Sequence, residues 1–521
     1  MLDVGRSIAL VLLLLTTCYF IYSRWINPQQ SMHLPPGPTG IPILGNVHQI
    51  PLEHQEYTFA NWGRKYGDVV YMRLFSKPAL VLNSLRASQE LLDKRGSKYS
   101  DRPHFILLQD LFQWRPNTIL MPFGEQWRRQ RKWFQGALET KSMLEGYQSL
   151  QRRESLRLLS ELIQTPAQFL LHIKRFTGSL MLEIAYGHTV STVDDEFIVL
   201  ADKTLAEMFE AGSPVASLVD FFPFLQNLPT WLPDGGFMKR VLEVRRMAHQ
   251  MMDIPFEWVK KAVATGTAKP SFTTFMMDET SKDGHLSATD EYELKGAAST
   301  MYAAGSDTAM TVLTTFVLAM VLHPEVYRKA QAEIDRVVGN TRLPDFEDRD
   351  SLPYLECVMK EVYRWNPPVA LGEADPRRLM EDDTYRGYHI PVGSIVIPNL
   401  WSIGRDPEVY SEPDVFRPER FEDMDVQTAS DKDPRKFVFG FGRRICPGRY
   451  FVDGSVYIAI ANIVATMDIR KARDAAGQEI TPSAEFRSGV VSHPKSFTCD
   501  ISPRSARIAD TVARLSMDVA A

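Results

Sequence analysis

The sequence predicts a mostly α-helical body with small β-sheets, preceded by one N-terminal transmembrane helix, and three observations predict it. Segments with helical apolar spacing dominate the chain, short Val-, Tyr- and Leu-rich runs occur in separated places, and one uncharged stretch stands at the start. The 521 residues would fill several average domains, yet no long polar linker separates folded-looking segments, so one large unit with a terminal appendage fits best. With 44% hydrophobic and 24% charged residues, a disordered, collagen-like or polytopic membrane chain is excluded. Lys and Arg number 59 against 64 Asp and Glu, and the net charge of -5 offers no basic excess for a nucleic-acid partner. Cys18, Cys357, Cys446 and Cys499 are too few and too scattered for a disulfide framework, which points to a reducing compartment.

Residues 1–26 read as a membrane anchor. Ser7 to Ser23 is uncharged, and as a helix it would span roughly 25 Å, close to the roughly 27 Å hydrocarbon layer of the endoplasmic reticulum. Arg6 is offset by Asp3, and bulky Tyr19, Phe20 and Tyr22 fill the would-be cleavage zone, which favours an uncleaved anchor over a cleaved signal peptide. Arg24 and Trp25 suit the interfacial end, and the lack of an Asn-x-Ser/Thr acceptor supports a body on the cytoplasmic side. Residues 27–46 contain Leu34-Pro-Pro-Gly-Pro-Thr-Gly-Ile-Pro42 and read as a stiff hinge, because proline fixes φ. Residues 47–521 form the body. Within it Asp68 to Leu74 and Ala79 to Leu82 read as strands, followed by helical signals at Arg86 to Lys94, Glu125 to Gly136, Gln151 to Gln164 and Phe237 to Ala264. Strand-like pieces return at Tyr385 to Pro398, with a Pro-Val-Gly turn, and at Val490 to Cys499.

The chemistry concentrates in Phe439-Gly-Phe-Gly-Arg-Arg-Ile-Cys446-Pro-Gly448, just before a helical run from Phe451 to Met467. Glycines here allow tight turning and let backbone N–H groups face the sulfur. A free cysteine is usually a small buried hydrophobe, but core packing does not call for arginines and glycines crowded on both sides of a thiol. A lone thiolate with flanking cations and amides is what a haem iron requires, with an arginine available to a propionate. This order, F-x-x-G-x-R-x-C-x-G, resembles the haem-thiolate signature of the cytochrome P450 family, and the likeness runs from Pro35 to Pro503.

The resemblance implies a cytochrome P450 fold and heme b with Cys446 as the axial ligand of the iron, held within Phe439, Gly442, Arg444 and Gly448. Three other motifs fall into place beside it. Ala297 to Leu322 carries one charge, Asp307, and seven interspersed Ser and Thr side chains, so it reads as a long helix through a soluble core rather than a second membrane span. Ala303-Ala-Gly-Ser-Asp-Thr308 is similar to the family's A-G-x-D-T segment, in which small residues such as Ala304 and Gly305 leave room and Asp307 and Thr308 handle protons as catalytic residues. The bland alternatives are a Thr308 hydroxyl bonded back to its own helix and an Asp307 ion pair with a neighbouring element. Ala309 replaces the Thr or Ser that usually follows.

Glu361-Val-Tyr-Arg364, with Arg420 in Phe416-Arg-Pro-Glu-Arg-Phe421, is implied to form a buried structural triad. Trp127 and Arg131 share one helical face after Phe123-Gly124 and, in similar proteins, hold a haem propionate. Arg128, Arg129 and Lys132 form a basic face able to dock an acidic reductase. A further propionate contact is implied from Leu371-Gly-Glu-Ala-Asp-Pro-Arg-Arg378, by Arg377 or Arg378. By family position Leu107 to Ile119, Ala304, Phe209, Val369, Ala370, Leu371, Val490 and Val491 line an apolar substrate pocket. Leu218 to Pro233 is apolar and proline-rich, and either dips into the membrane or packs internally.

Function follows as an expectation: a haem-thiolate monooxygenase that oxidises a lipophilic small molecule with O2. Electrons would come from NADPH through a separate NADPH-cytochrome P450 reductase, with cytochrome b5 as an additional partner, at the endoplasmic reticulum membrane. Tyr385-Arg-Gly-Tyr-His-Ile-Pro and Asp433-Pro-Arg435 most resemble fungal members of specialised metabolism, of the O-methylsterigmatocystin oxidoreductase-like type, which suggests terpenoid or aromatic substrates. A reductase-independent haem-thiolate isomerase or dehydratase, and a non-enzymatic haem-binding membrane protein, are the rivals; isomerases typically lack the acid-alcohol pair.

Overall fold

From residue 33 onward the computed structural model describes residues 33–211, 218–227, 235–281, 285–372, 376–422 and 424–520. The expected anchor at residues 1–26 lies, but for isolated positions, outside them. The chain divides into two compact units, residues 1–103 with 376–399, and residues 104–375 with 400–521.

In the first unit the β-branched and aromatic run Val69–Leu74 (β1) turns at Phe75 and Ser76 and pairs antiparallel with Lys77–Leu82 (β2), with Val69 opposite Leu82. Arg377–Arg378 (β3), Asp383–Tyr385 (β4), Tyr388–Ile390 (β5) and Ile395–Pro398 (β6) follow late in the chain. The order β1-β2-β6-β3 makes a four-stranded sheet in which β2 and β6 are parallel, and β4 pairs with β5. The proline-rich stretch that reads as a hinge is laid along β1. Tyr71 N–H donates to Pro36 O at 2.9 Å, Asn46 N–H donates to Arg73 O at 2.7 Å, and a Cβ on Gly37 would lie 1.8 Å from Tyr71 O. Proline lacks an N–H but keeps a carbonyl, so an extended prolyl segment can still serve the donors of a strand edge.

The second unit is built around one helix, Ala288–Leu322, capped at its start by Ser287, whose side chain accepts the Asp290 N–H. From Gly296 onward it carries a single charge, Asp307, and is mostly buried, as a helix enclosed by its neighbours must be. Among the described residues it is also the helix long and apolar enough to cross a membrane, yet 67% of its most apolar window is buried inside the protein. It is therefore the core helix expected from its interspersed hydroxyls. Helices Phe169–Tyr186, Gly235–Ala264, Pro353–Trp365 and Arg449–Thr466 pack on it. Gly296 allows a close approach: a Cβ there would sit 1.8 Å from Pro116 O. The obstacle is backbone, so Gly296→Ala is expected to lower stability by about 1–3 kcal/mol, read as a lower thermal midpoint of the purified protein.

The helix expected from Phe451 spans Arg449–Thr466, and Met467 opens β7 (Met467–Arg473), which is flanked by β8 (Glu479–Ile480) and β9 (Cys499–Pro503). Val490 to Cys499 is not the expected strand. Gly489 takes φ +152, and the chain doubles back so that Arg487 N–H meets His493 O and Lys495 N–H meets Glu485 O, forming a short hairpin loop. A final helix, Ala506–Ala520, lies beyond the stretch that carried any sequence motif.

Candidate active site

The cysteine loop is shaped by its own backbone. Gly440 and Gly442 adopt φ +77 and +52, which the glycines permit, and Cys446 N–H closes the loop on Phe439 O at 2.8 Å. Phe439 in turn packs edge-on against Tyr363 of the Pro353–Trp365 helix. Burial pushes the Cys446 thiol up from its usual value; the Gly448 N–H at the sulfur, then the charges of Arg131 and Arg449, oppose that push, while Glu139 reinforces it. The free thiol therefore keeps its proton at neutral pH, and ligation to a metal releases it.

The helix Glu125–Leu138 is stapled to this loop. Trp127 and Arg131 are both buried on its inner face. Arg444 stacks on the Trp127 ring at 4.5 Å and donates to Thr118 O and Met121 O at 3.3 and 2.8 Å. Arg131 donates to Ile445 O at 2.5 Å and to Glu139 at 3.1 Å. Arg449 completes the set, reaching Glu139 at 2.7 Å and Cys446 O at 2.9 Å. Glu139 and Arg449 were missed by the motif reading, although Arg449 directly follows Cys446-Pro-Gly448. Arg129 is not part of an open basic face: it binds Asp290 and Glu293 of the central helix, at 2.8 Å to Asp290. Arg128 and Lys132 are exposed.

On the central helix, residues 304–308 are half-buried between the buried Ala303 and Ala309, so this turn is more accessible than the helix on either side of it. Both bland geometries are present. Thr308 Oγ1 donates to Ala304 O at 2.9 Å, and Asp307 Oδ1 lies 3.1 Å from His493 Nε2. The helix runs unbroken through Gly305, where a Cβ would lie 2.6 Å from Met181 Cε, so the glycine's smallness serves packing against Phe169–Tyr186.

The triad is assembled. Arg364 Nε and Nη2 each lie 2.7 Å from a Glu361 oxygen, both residues are fully buried, and Arg420 Nε reaches Glu361 at 3.1 Å. Asp433-Pro-Arg435 enters an ion network with Glu356, Asp453 and Arg349 beside it. Val490 and Val491 are brought beside Val369 because Ser492 N–H donates to Pro368 O at 2.8 Å; all three valines and Leu371 are half-buried, and Ala370 is buried. The Phe209 side chain lies outside the described residues, as do residues 373–375 and 228–234. Of the Leu218 to Pro233 run, Val219 is buried and Phe224 exposed. In the first unit Arg377 is fully buried on β3, while Arg378 binds Asp101 at 2.8 Å.

These residues fit a haem. One sulfur receives a backbone N–H, two guanidiniums flank it, and among the described residues no group of three or more His, Cys, Asp or Glu is placed to hold a metal ion in another way. The family model described as Cytochrome P450 matches residues 35–499. Cytochrome P450 monooxygenase 176 of Postia placenta is 54% identical over 95% of this chain and 94% of its own length. Cytochrome P450 monooxygenase 136 of the same fungus is 50% identical over 98% and 97%, and cytochrome P450 monooxygenase claR of Ampulloclitocybe clavipes 40% over 91% and 87%. The chain belongs to the cytochrome P450 family. It is an oxidoreductase of the monooxygenase class, for which the family implies a haem on a cysteine thiolate and O2 as co-substrate.

Proposed function

We propose that the protein is a fungal membrane-anchored monooxygenase that hydroxylates or otherwise oxidises a lipophilic secondary metabolite, terpenoid or aromatic, with electrons passed from NADPH by a separate reductase on the cytoplasmic side of the endoplasmic reticulum. The observation that carries it is the Cys446 sulfur, bonded by the Gly448 N–H and flanked by Arg131 and Arg449. When bound, the haem would supply activation of O2, and a thiolate ligand favours cleavage of the oxygen-oxygen bond.

The chain's own residues do the rest. Cys446 is the ligand, with Phe439, Gly442 and Gly448 setting the loop around it. Trp127, Arg131 and Arg444 hold the propionate side. Asp307 and Thr308 hold and pass protons at the half-buried turn of the central helix. Ala304, Val369, Ala370, Leu371, Val490 and Val491 shape a pocket that selects by apolar fit. Exposed Arg128 and Lys132 suit docking of an acidic reductase, with Arg129 removed from that role by its internal ion pairs. Exposed Phe224 suits a membrane-facing apolar run.

Microsomes holding the protein and a reductase test this reading. A thiolate-type reduced carbonyl difference spectrum, and NADPH consumption that rises with terpenoid or aromatic metabolites, are expected. A normal spectrum with product formed without NADPH would overturn it in favour of an isomerase.

A further inference from the structure

We propose that His493 is the proton-supplying partner of Asp307, in a trio completed by Thr311; this rests on the monooxygenase reading above. His493 ends the hairpin loop between Glu485 and Lys495, which is fixed beside the central helix by the residue before it. Asn366 Nδ2 donates to Ser492 O at 2.8 Å, and the Ser492 hydroxyl donates back to Asn366 Oδ1 at 3.1 Å. The imidazole then spans one turn of the central helix: Nε2 lies 3.1 Å from Asp307 Oδ1, and Nδ1 2.9 Å from Thr311 Oγ1.

Counting hydrogens decides which atom donates between His493 and Thr311. The Thr311 hydroxyl lies 3.0 Å from the Asp307 carbonyl oxygen, which can only accept, so the hydroxyl hydrogen is spent there. With that hydrogen spent, Nδ1 is the donor to Thr311 Oγ1, and Nε2, at ion-pair distance from Asp307 Oδ1, is placed to exchange a proton with the carboxylate. When Nε2 also carries a hydrogen, a cation faces Asp307. Transfer breaks the Nε2–H bond and forms an O–H bond at Asp307 Oδ1. It leaves a neutral carboxylic acid able to pass the proton into the pocket, and a neutral ring still held by Nδ1–H on Thr311. The ring, whose side chain is 25% exposed, takes a replacement proton from solvent at Nε2. No electron moves, and the net result is one proton carried from solvent to the pocket.

The charged surroundings are few. Asp202, on the helix Glu196–Ala211, acts on Asp307 through its field and is itself ion-paired with Lys174 on Phe169–Tyr186. On the hairpin, Glu485 pairs with Lys495 and Arg487 is exposed. Tyr302, on the central helix, keeps its proton because burial, and then the charge of Asp202, raise its pKa well above the usual value.

The test uses the haem-loaded full chain with ring-15N histidine, read in its reduced carbonyl form, alongside His493→Gln and Thr311→Val. Glutamine keeps an N–H toward Asp307 but holds no transferable proton. The signal lost in His493→Gln identifies His493, and a hydrogen on Nδ1 is expected in it; a bare Nδ1 overturns the proposal. With reductase, NADPH oxidation by His493→Gln is expected to fall about tenfold and the share of electrons released as peroxide to rise, with Thr311→Val between it and the parent. A rate and peroxide share equal to the parent's also overturn it. The carbonyl band is recorded on the same samples: its presence with either negative result sinks the His493 role alone, and its absence from the parent sinks the haem-thiolate reading with it.

Discussion

Cys446→Ser is expected to fold, to lose the reduced carbonyl band that marks a thiolate-ligated haem, and to bring NADPH-dependent turnover to background. The bonds that shape the loop belong to the backbone: Cys446 N–H to Phe439 O, Arg131 to Ile445 O and Arg449 to Cys446 O. Serine leaves all three in place, so the apoprotein's thermal midpoint should stay close to that of the parent. What changes is the donor atom. An alkoxide or hydroxyl lacks the soft, electron-rich sulfur whose donation sets the reactivity of a thiolate-ligated haem. Since burial already raises the thiol above its ordinary pKa, the Gly448 N–H and the charges of Arg131 and Arg449 are the groups that make thiolate formation affordable, and they have no comparable anion to act on in the serine protein. Spectra and turnover together are the measurement, and an unchanged pigment with unchanged turnover would refute the assignment of Cys446.

How much of this was legible follows from what each feature needs. The cysteine loop could be read because its residues are contiguous and each has a separate physical reason to stand where it does. The Glu361-Arg364 pair could be read because two opposite charges among Val358, Met359, Val362, Tyr363 and Trp365 cannot be solvated, and both are fully buried. Gly305 was legible as small but not as to why, because Met181 comes from a helix more than a hundred residues earlier in the sequence. Arg129 looked like one cation of a basic face; its acceptors, Asp290 and Glu293, come from another helix that no local pattern brings near. His493 was hidden for the same reason, being separated by 182 residues from Thr311. The stretch Val490 to Cys499 resembled a strand, but Gly489 and Pro494 turn it into a loop, where local backbone geometry overrides β propensity.

Glu361→Ala is expected to cost about 3–5 kcal/mol, the range for removing one partner of a buried ion pair and leaving the other charge uncompensated. Glu361 accepts four bonds: Arg364 Nε and Nη2 at 2.7 Å, Arg420 Nε at 3.1 Å, and the Arg417 N–H at 2.8 Å. Arg364 also donates to Gly404 O and Pro413 O, at 2.8 and 2.7 Å, so its guanidinium ties a helix to two loop carbonyls at once. Arg420 feels the cost directly: burial lowers its pKa, the charge of Glu361 restores part of that, and Arg364 works against it. Without Glu361, two like charges would face each other in a site closed to water. Arg364→Lys should be damaging as well, because one ammonium cannot make the paired carboxylate bonds and still reach the carbonyls. The loss should extend to the cysteine, since Tyr363 on the same helix packs on Phe439, whose carbonyl closes the loop on Cys446 N–H. The measurement is the thermal midpoint together with the fraction of protein keeping the thiolate carbonyl band on warming; both should fall in Glu361→Ala, and a parent-like midpoint would show that the triad carries no fold stability.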